Sequence, residues 1–177
     1  MNKKSMVLGV TGSIAAYKAV DLVSKLVKLE YDVTVIMTES AQKLIGDQTF
    51  LTLSRNPVIT SLWSKENWKP EHIHLAGKSS LLVVAPCTAN FIGKYVGGIA
   101  DDALTTYALS HTGKVLLAPA MNVNMWQHAA VQDNCKVLKQ RGTYFIGPDT
   151  GDLACGIKAK GHISETDSII TKILDLS

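Results

Sequence analysis

Two rhythms of apolar and polar residues alternate along the chain. Short apolar runs at Val7-Leu-Gly-Val10, Asp32-Val-Thr-Val-Ile-Met37, Ser80-Leu-Leu-Val-Val-Ala85, Lys114 to Ala118 and Tyr144-Phe-Ile146 have the length and branched content of buried strands. After the first run, Ala16, Val20, Val23, Leu26 and Val27 form a stripe with Lys18, Asp21, Lys25 and Lys28 off it, which predicts an amphipathic helix. Residues 41–54 read as helical in pieces, 56–70 as a strand or extended segment and then a loop, and 71–76 as the opening of a short helix. Asp101 is expected to cap the helix that follows Gly93, Gly97 and Gly98, and 125–141 to form a helix ended by Gly142. Residues 149–163 lack apolar periodicity and are expected to form a mobile loop, before Ser164 caps a last helix through Leu174. This alternation predicts a single α/β domain over residues 1–177. Its core would be a doubly wound parallel sheet, Rossmann-like or flavodoxin-like, of five or six strands in the order 2-1-3-4-5.

In such a sheet ligands bind outside the carboxyl ends of the strands, so the residues after each run carry the functional signal. The first run ends in Thr11-Gly-Ser13, a tight turn whose backbone N–H groups and hydroxyls suit an anion at a helix start. Neither GxGxxG nor a P-loop is present. The second run ends in Thr38, Glu39 and Ser40, and the third in Pro86-Cys-Thr-Ala-Asn90. The fourth delivers Pro119-Ala-Met-Asn-Val-Asn-Met-Trp126. There Pro119 stops the strand, Asn122 offers donors and acceptors, Met121 and Met125 offer adaptable contact, and Trp126 belongs to the core. His72 and His74 are two residues apart and cannot share a helix face, which argues against a metal pair but leaves one as a candidate acid or base. Trp63 and Trp68 suit core or subunit contacts.

Composition narrows the partners. The 177 residues carry a formal charge of only +3, with Lys and Arg scattered, so a nucleic-acid role has little electrostatic support. No apolar stretch approaches the roughly 18 residues of a membrane span. The three cysteines, Cys87, Cys135 and Cys155, are odd in number and lack metal-ligand spacing, which fits reduced thiols in a cytoplasmic protein. A 46% hydrophobic content fits a buried sheet and also subunits that cover one another.

Several stretches together resemble the homo-oligomeric flavin-containing cysteine decarboxylases. Pro86-Cys-Thr-Ala-Asn-Phe91 resembles their PASANT motif, and Pro119 to Trp126 is similar to their PxMNxxMW motif without a mismatch. His72-Ile-His-Leu-Ala76 is similar to the HIxLA segment, and Gly12-Ser-Ile-Ala-Ala-Tyr-Lys18 resembles the first loop. Leu153-Ala-Cys-Gly156 resembles the ACG clamp of the phosphopantothenoylcysteine decarboxylase branch.

The resemblance implies FMN and no metal. The FMN phosphate would lie at Gly12, Ser13 and Ile14 with Thr38 and Ser40 nearby, and Thr88, Ala89, Asn90 and Ala120 would line the flavin. Phe91, where the motif has Thr, removes one hydroxyl. The implied reaction is oxidative decarboxylation of 4′-phospho-N-pantothenoyl-L-cysteine to 4′-phosphopantetheine in coenzyme A biosynthesis. Oxidation of the thiol to a thioaldehyde gives the carbanion of decarboxylation an electron sink. His72 would be the base in thiol oxidation, Asn122 would hold the carboxylate, and Cys155 would protonate the enethiolate on a loop that excludes water. Met125, Asp152 and Ala154 would contact substrate. The family's trimers or dodecamers hold FMN between subunits, and a separate ligase would supply the substrate. Two alternatives stay open: a peptidyl-cysteine decarboxylase of lantibiotic maturation, and a non-catalytic flavin-binding regulatory subunit or electron carrier.

Overall fold

The computed structural model describes residues 4–63, 77–152, 156 and 158–177. Six parallel strands form the central sheet: β1 (Ser5–Val10), β2 (Asp32–Met37), β3 (Val58–Ile59), β4 (Leu81–Cys87), β5 (Lys114–Pro119) and β6 (Tyr144–Phe145). Their spatial order is β3-β2-β1-β4-β5-β6. The five strands expected from the apolar runs stand in the expected order. The sixth is the two-residue β3, which adds to the β2 edge inside the segment read as strand or extended, and the full order is therefore 3-2-1-4-5-6. The order of strand addition reverses between β1 and β4, which are parallel neighbours, and this opens a crevice at their carboxyl ends.

Both faces of the sheet are covered, which is why its strands are apolar without alternation. On one face Met6, Leu8 and Val10 of β1 pack with Leu81, Val83 and Ala85 of β4 beneath α1 (Ala16–Lys28) and α8 (Thr166–Leu176). On the other, Val7, Leu82, Val84 and Leu117 meet Phe91 of α4 (Ala89–Gly97), Leu104 and Tyr107 of α5 (Ala103–Ser110), and Leu138 of α7 (Ala129–Gln140). Each fully buried Val, Leu or Phe side chain contributes about 1.5–3 kcal/mol. In α1 the buried residues Ala16, Ala19, Leu22, Val23 and Leu26 recur at helical spacing. Lys25 in its last turn bonds Asp21 at 3.0 Å and Asp167 of α8 at 2.7 Å.

A register shift between Val84 and Cys87 interrupts the β4–β5 ladder. After strict alternation Cys87 would face α1; it lies instead in the second core, with Phe91 and Tyr107. A bulge re-aims a strand end in this way. Here it turns Thr88 and the residues after it toward the crevice.

Local expectations are corrected at several points. Asp102, not Asp101, caps α5: it accepts from Thr105 N at 2.8 Å, and Thr105 Oγ1 accepts from Asp102 N at 3.2 Å. Asp101 is engaged by Lys94 Nζ at 2.7 Å. The helix expected over 125–141 is two, α6 (Val123–Gln127) and α7, separated at His128, whose extended backbone lets its Nδ1 accept from Ala130 N at 3.2 Å. Apolar spacing continues through the break, so periodicity could not reveal it; an imidazole cap competed with helix continuation. Gly142, at φ +89°, does follow the end of α7. Glu165, not Ser164, is the N-cap of α8, and the buried Ser164 Oγ has no hydrogen-bond partner among the described residues.

The segment read as a mobile loop is largely a hairpin, β7 (Asp149–Asp152) paired antiparallel with β8 (Lys158–His162). Its polar and glycine-rich strands carry no apolar alternation because they pack on the motif after β5 and not in the core. Trp63 is 86% exposed and lies outside the core of the chain, whereas Trp126 packs partly buried against the second core, as expected. The remaining chain between β2 and β3 forms α2 (Glu39–Gln42) and α3 (Asp47–Ser54), in agreement with helix in pieces.

A cleft at the strand ends

The crevice between β1 and β4 opens into a cleft of about 520 Å³, within the range of small-molecule sites. Its walls come from the β1–α1 turn (Gly12, Ser13, Ile14), the start of α4 (Thr88, Ala89), the segment after β5 (Ala120, Met121, Asn122, Met125) and the base of the hairpin (Gly161, His162, Ile163). A second cleft of about 480 Å³ shares Gly12, Thr88 and Met125 with the first and extends past Thr38, Ser40 and Asn90.

The β1–α1 turn is shaped by what it lacks. A Cβ on Gly12 would lie 2.4 Å from Ser40 Cβ, so only hydrogen at this position lets the start of α2 close over the turn. Ser13 N donates to Thr11 O at 2.8 Å, and Ala16 N to Ser13 O at 2.8 Å, which winds the chain into α1. The N-cap of α1 is Ala15, whose methyl side chain cannot cap, and its first turn has no acidic residue. The positive end of the helix dipole therefore faces the cleft with no acidic residue in its own first turn.

Thr11 holds the two strand ends together. Its buried hydroxyl donates to Pro86 O at 2.7 Å and accepts from Thr88 N at 3.1 Å. Thr88 caps α4 by accepting from Phe91 N at 3.4 Å, and Thr38 caps α2 by accepting from Ala41 N at 3.3 Å. Both hydroxyls are thus oriented by their own helices. Phe91 is buried and stacks on Tyr95 with centroids 5.7 Å apart, so the hydroxyl lost at this position is replaced by core packing.

Asn122 is the N-cap of α6, and its Oδ1 accepts from Asn124 N at 2.8 Å. That cap fixes the amide at the cleft wall. Met125, one turn later, is 49% exposed and lines both clefts. The hairpin is docked on this segment through backbone: Met121 N donates to Gly161 O at 3.0 Å, and a Cβ on Gly161 would lie 2.3 Å from Met121 O. Glycine is required there twice over, by the close approach and by its φ of +148°.

Electrostatics differ between the two clefts. In the second, Lys94 bonds Asp101 at 2.7 Å and Asp102 at 3.4 Å. The Asp101 hydrogen bond raises the lysine's pKa and Lys94 lowers that of Asp101, so both stay charged. Burial pushes the Cys87 thiol well above its ordinary value, with Cys135 adding to the effect, which leaves Cys87 an inert core residue. Among the described residues no cluster of three His, Cys, Asp or Glu could hold a metal ion, and no helix is long and apolar enough to cross a membrane.

The structure therefore gathers Gly12, Ser13, Ile14, Thr88, Ala89, Ala120, Asn122 and Met125 around one cleft, and Thr38, Ser40 and Asn90 around its extension. His72, Ala154 and Cys155 lie outside the described residues. Asp152 ends β7, paired by backbone with Lys158. The turn hydroxyls expected to meet an anion do not include that of Thr11, which is buried and committed to Pro86 O and Thr88 N as a bridge between strand ends. His162, a lone histidine in a stretch read as loop, was passed over. The Lys94–Asp101–Asp102 group was hidden because a helix cap was a sufficient reading of the aspartates.

The sequence profile of the flavoprotein family matches residues 1–177. The coenzyme A biosynthesis bifunctional protein of Bacillus subtilis (strain 168) is 47% identical over 171 residues, 96% of this chain and 42% of the relative. The chain thus spans less than half the length of that curated bifunctional relative. A probable phosphopantothenoylcysteine decarboxylase of Streptococcus mutans serotype c is 39% identical over 173 residues, 96% of this chain and 97% of the relative. Among solved structures, a PPC decarboxylase mutant complexed with pantothenoylaminoethenethiol superposes with a TM-score of 0.86 at 26% identity, over 98% of this chain and 97% of that one. The FMN-dependent cysteine decarboxylase SpaF superposes with a TM-score of 0.84 at 27% identity, over 97% and 95%. This chain belongs to the flavoprotein family, on the branch that holds the phosphopantothenoylcysteine decarboxylases.

Proposed function

We propose that residues 1–177 form an FMN-binding domain that decarboxylates 4′-phospho-N-pantothenoyl-L-cysteine to 4′-phosphopantetheine. The observation that carries this reading is the shared cleft: the uncapped anion turn at Gly12 to Ile14 and the Asn122–Met125 wall face the same space. The residues present fit a flavin mononucleotide. The turn is open to a phosphate because Gly12 has no side chain and the N-cap of α1, Ala15, makes no side-chain cap. Small residues, Ala89 and Ala120, leave room for a flat ring.

Bound flavin would supply a two-electron acceptor and donor beside the substrate thiol. The chain's own residues would do the rest. Gly12, Ser13 and Ile14 would hold the phosphate by backbone and hydroxyl hydrogen bonds, with Thr38 and Ser40 adjoining. Thr88, Ala89, Asn90 and Ala120 would line the ring. Asn122, held by its capping bond, would bind the substrate carboxylate through its amide and release it as the negative charge passes to the enethiolate and neutral carbon dioxide departs. Met125 would pack on the substrate, with Asp152 and Ala154 as further contacts. His72 would take the thiol proton, and Cys155 would return a proton to the enethiolate.

Oligomerisation belongs to the same proposal. Ile14, Tyr17 and Met125 are 64%, 58% and 49% exposed on the rim of the cleft, an apolar edge that a second subunit would cover in a trimer or dodecamer. A cytoplasmic setting is supported by the unpaired thiols of Cys87 and Cys135.

The test is a two-substrate assay on the purified, flavin-loaded protein. Turnover of phosphopantothenoylcysteine, without turnover of a peptide ending in cysteine, is the expected result. The reverse preference would contradict the substrate assignment and favour peptide maturation.

A further inference from the structure

His162 has no role in the reading above, yet the fold takes care over where it stands. It closes β8, one residue after the glycine that docks the hairpin on Met121. Its ring lies against the backbone of Gly151, where an added Cβ would come within 2.8 Å of His162 Cγ. The side chain lines the same cleft as Asn122 and Met125 and makes no hydrogen bond among the described residues. Among the described residues that line this cleft, it alone has a side chain that can take a positive charge, and beyond it only Asn122 carries a side-chain nitrogen. Its neighbour Glu165 is bonded by Lys18 at 2.9 Å and interacts with the imidazole electrostatically, more weakly than with Lys18.

We infer that His162 is a substrate-recognition residue, an N–H donor to an oxyanion of the molecule held against Asn122. This rests on the proposed substrate, which carries two such groups, a carboxylate and a phosphate. An imidazole N–H suits either, and a hydrogen bond to a charged group is strong enough for its removal to weaken binding about tenfold or more. The hairpin then has a function beyond covering the cleft. Docking through Gly161 carries the donor to the wall on which the carboxylate-binding amide stands.

The experiment uses the flavin-loaded protein with His162→Ala and His162→Gln, the latter retaining an N–H donor. Three ligands separate the sources of the anion: phosphopantothenoylcysteine, pantothenoylcysteine without the phosphate, and phosphopantetheine without the carboxylate. KM and kcat are measured for the first two and Kd for the third. His162→Ala is expected to raise KM for phosphopantothenoylcysteine about tenfold or more, with kcat, flavin content and melting temperature little changed, and His162→Gln to restore part of the loss. If the contact is to the carboxylate, pantothenoylcysteine shares the loss and phosphopantetheine does not. If it is to the phosphate, phosphopantetheine shares it and pantothenoylcysteine does not. Unchanged KM and Kd in His162→Ala, a fall in kcat alone, or loss of flavin would overturn the inference. Should the unsubstituted protein bind none of the three ligands, the substrate assignment and this inference would fall together; should it bind them and His162→Ala bind them equally, only the role of His162 falls.

Discussion

Gly12→Ala is the sharpest probe of how the cleft is built. The new Cβ would sit 2.4 Å from Ser40 Cβ and 3.2 Å from the Ser40 carbonyl carbon. Carbon atoms pack best at about 3.5–4.0 Å, so a gap of about 1 Å must open between the β1–α1 turn and the start of α2. The neighbour is backbone and Cβ, not the tip of a flexible chain, so the helix start itself must move. Overpacking of this kind costs about 1–3 kcal/mol. For a chain of this length that lowers the melting temperature by about 2–4 °C per kcal/mol. The displaced atoms are those proposed to cradle the phosphate, so flavin binding should weaken as well. Stripped Gly12→Ala protein, titrated with FMN by fluorescence quenching, is expected to bind about tenfold or more weakly, and to melt several degrees below the unsubstituted apoprotein. Unsubstituted affinity together with an unsubstituted melting temperature would refute the packing argument. Unsubstituted affinity with a lowered melting temperature would remove Gly12 from the phosphate site while leaving the packing correct.

Three other expectations test different parts of the molecule. Thr11→Val keeps the volume but leaves Pro86 O and Thr88 N without their partner, at about 1–3 kcal/mol for each buried group; an unchanged urea midpoint would contradict the bridging role. Gly93→Ala lies within α4 with only Asn134 Nδ2 near, at 3.8 Å, and should stabilise the fold by about 0.5–1 kcal/mol in the same measurement. His111 is buried, and with Nε2 donating to Lys114 O its Nδ1 accepts from Tyr107 Oη, each at 3.2 Å. Burial lowers its pKa, partly opposed by the Lys114 hydrogen bond. The unfolded chain therefore takes up a proton before the folded one does. Stability from this group is complete above the ordinary histidine value and is lost as pH falls through the folded value. Melting temperature should drop as pH falls from about 7 toward 5, and His111→Gln should reduce that slope.

The sheet was legible because its strands are buried on both faces and so read as apolar runs, from Val7 to Phe145. The edge strand Val58–Ile59 was legible only as a strand or extended segment within 56–70, because two residues carry no period to place it in the sheet; it is the reason the order gains a sixth member. Much of the site could be read for a different cause. Strand ends in a parallel sheet share one edge, so Gly12, Thr38, Thr88 and Asn122 had to converge whatever the helices did. What escaped was set by tertiary context. His128 breaks a helix whose apolar spacing continues, Asp102 takes the cap that its neighbour could have filled, and the hairpin of β7 and β8 rests on backbone contacts to Met121 that leave no trace in hydropathy. His162 was invisible for that last reason.

In the proposed function Asn122 holds a substrate carboxylate in a flavin-lined cleft. Asn122→Asp tests it most directly, because aspartate caps a helix as well as asparagine does and the fold around α6 should survive. The decisive measurement is release of carbon dioxide from phosphopantothenoylcysteine by flavin-loaded Asn122→Asp beside the unsubstituted protein. Full flavin content, a normal melting temperature and a loss of about a hundredfold or more in rate are expected, since a carboxylate replaces a donor opposite a carboxylate. Carbon dioxide release at the unsubstituted rate from the Asp variant would contradict this role of Asn122.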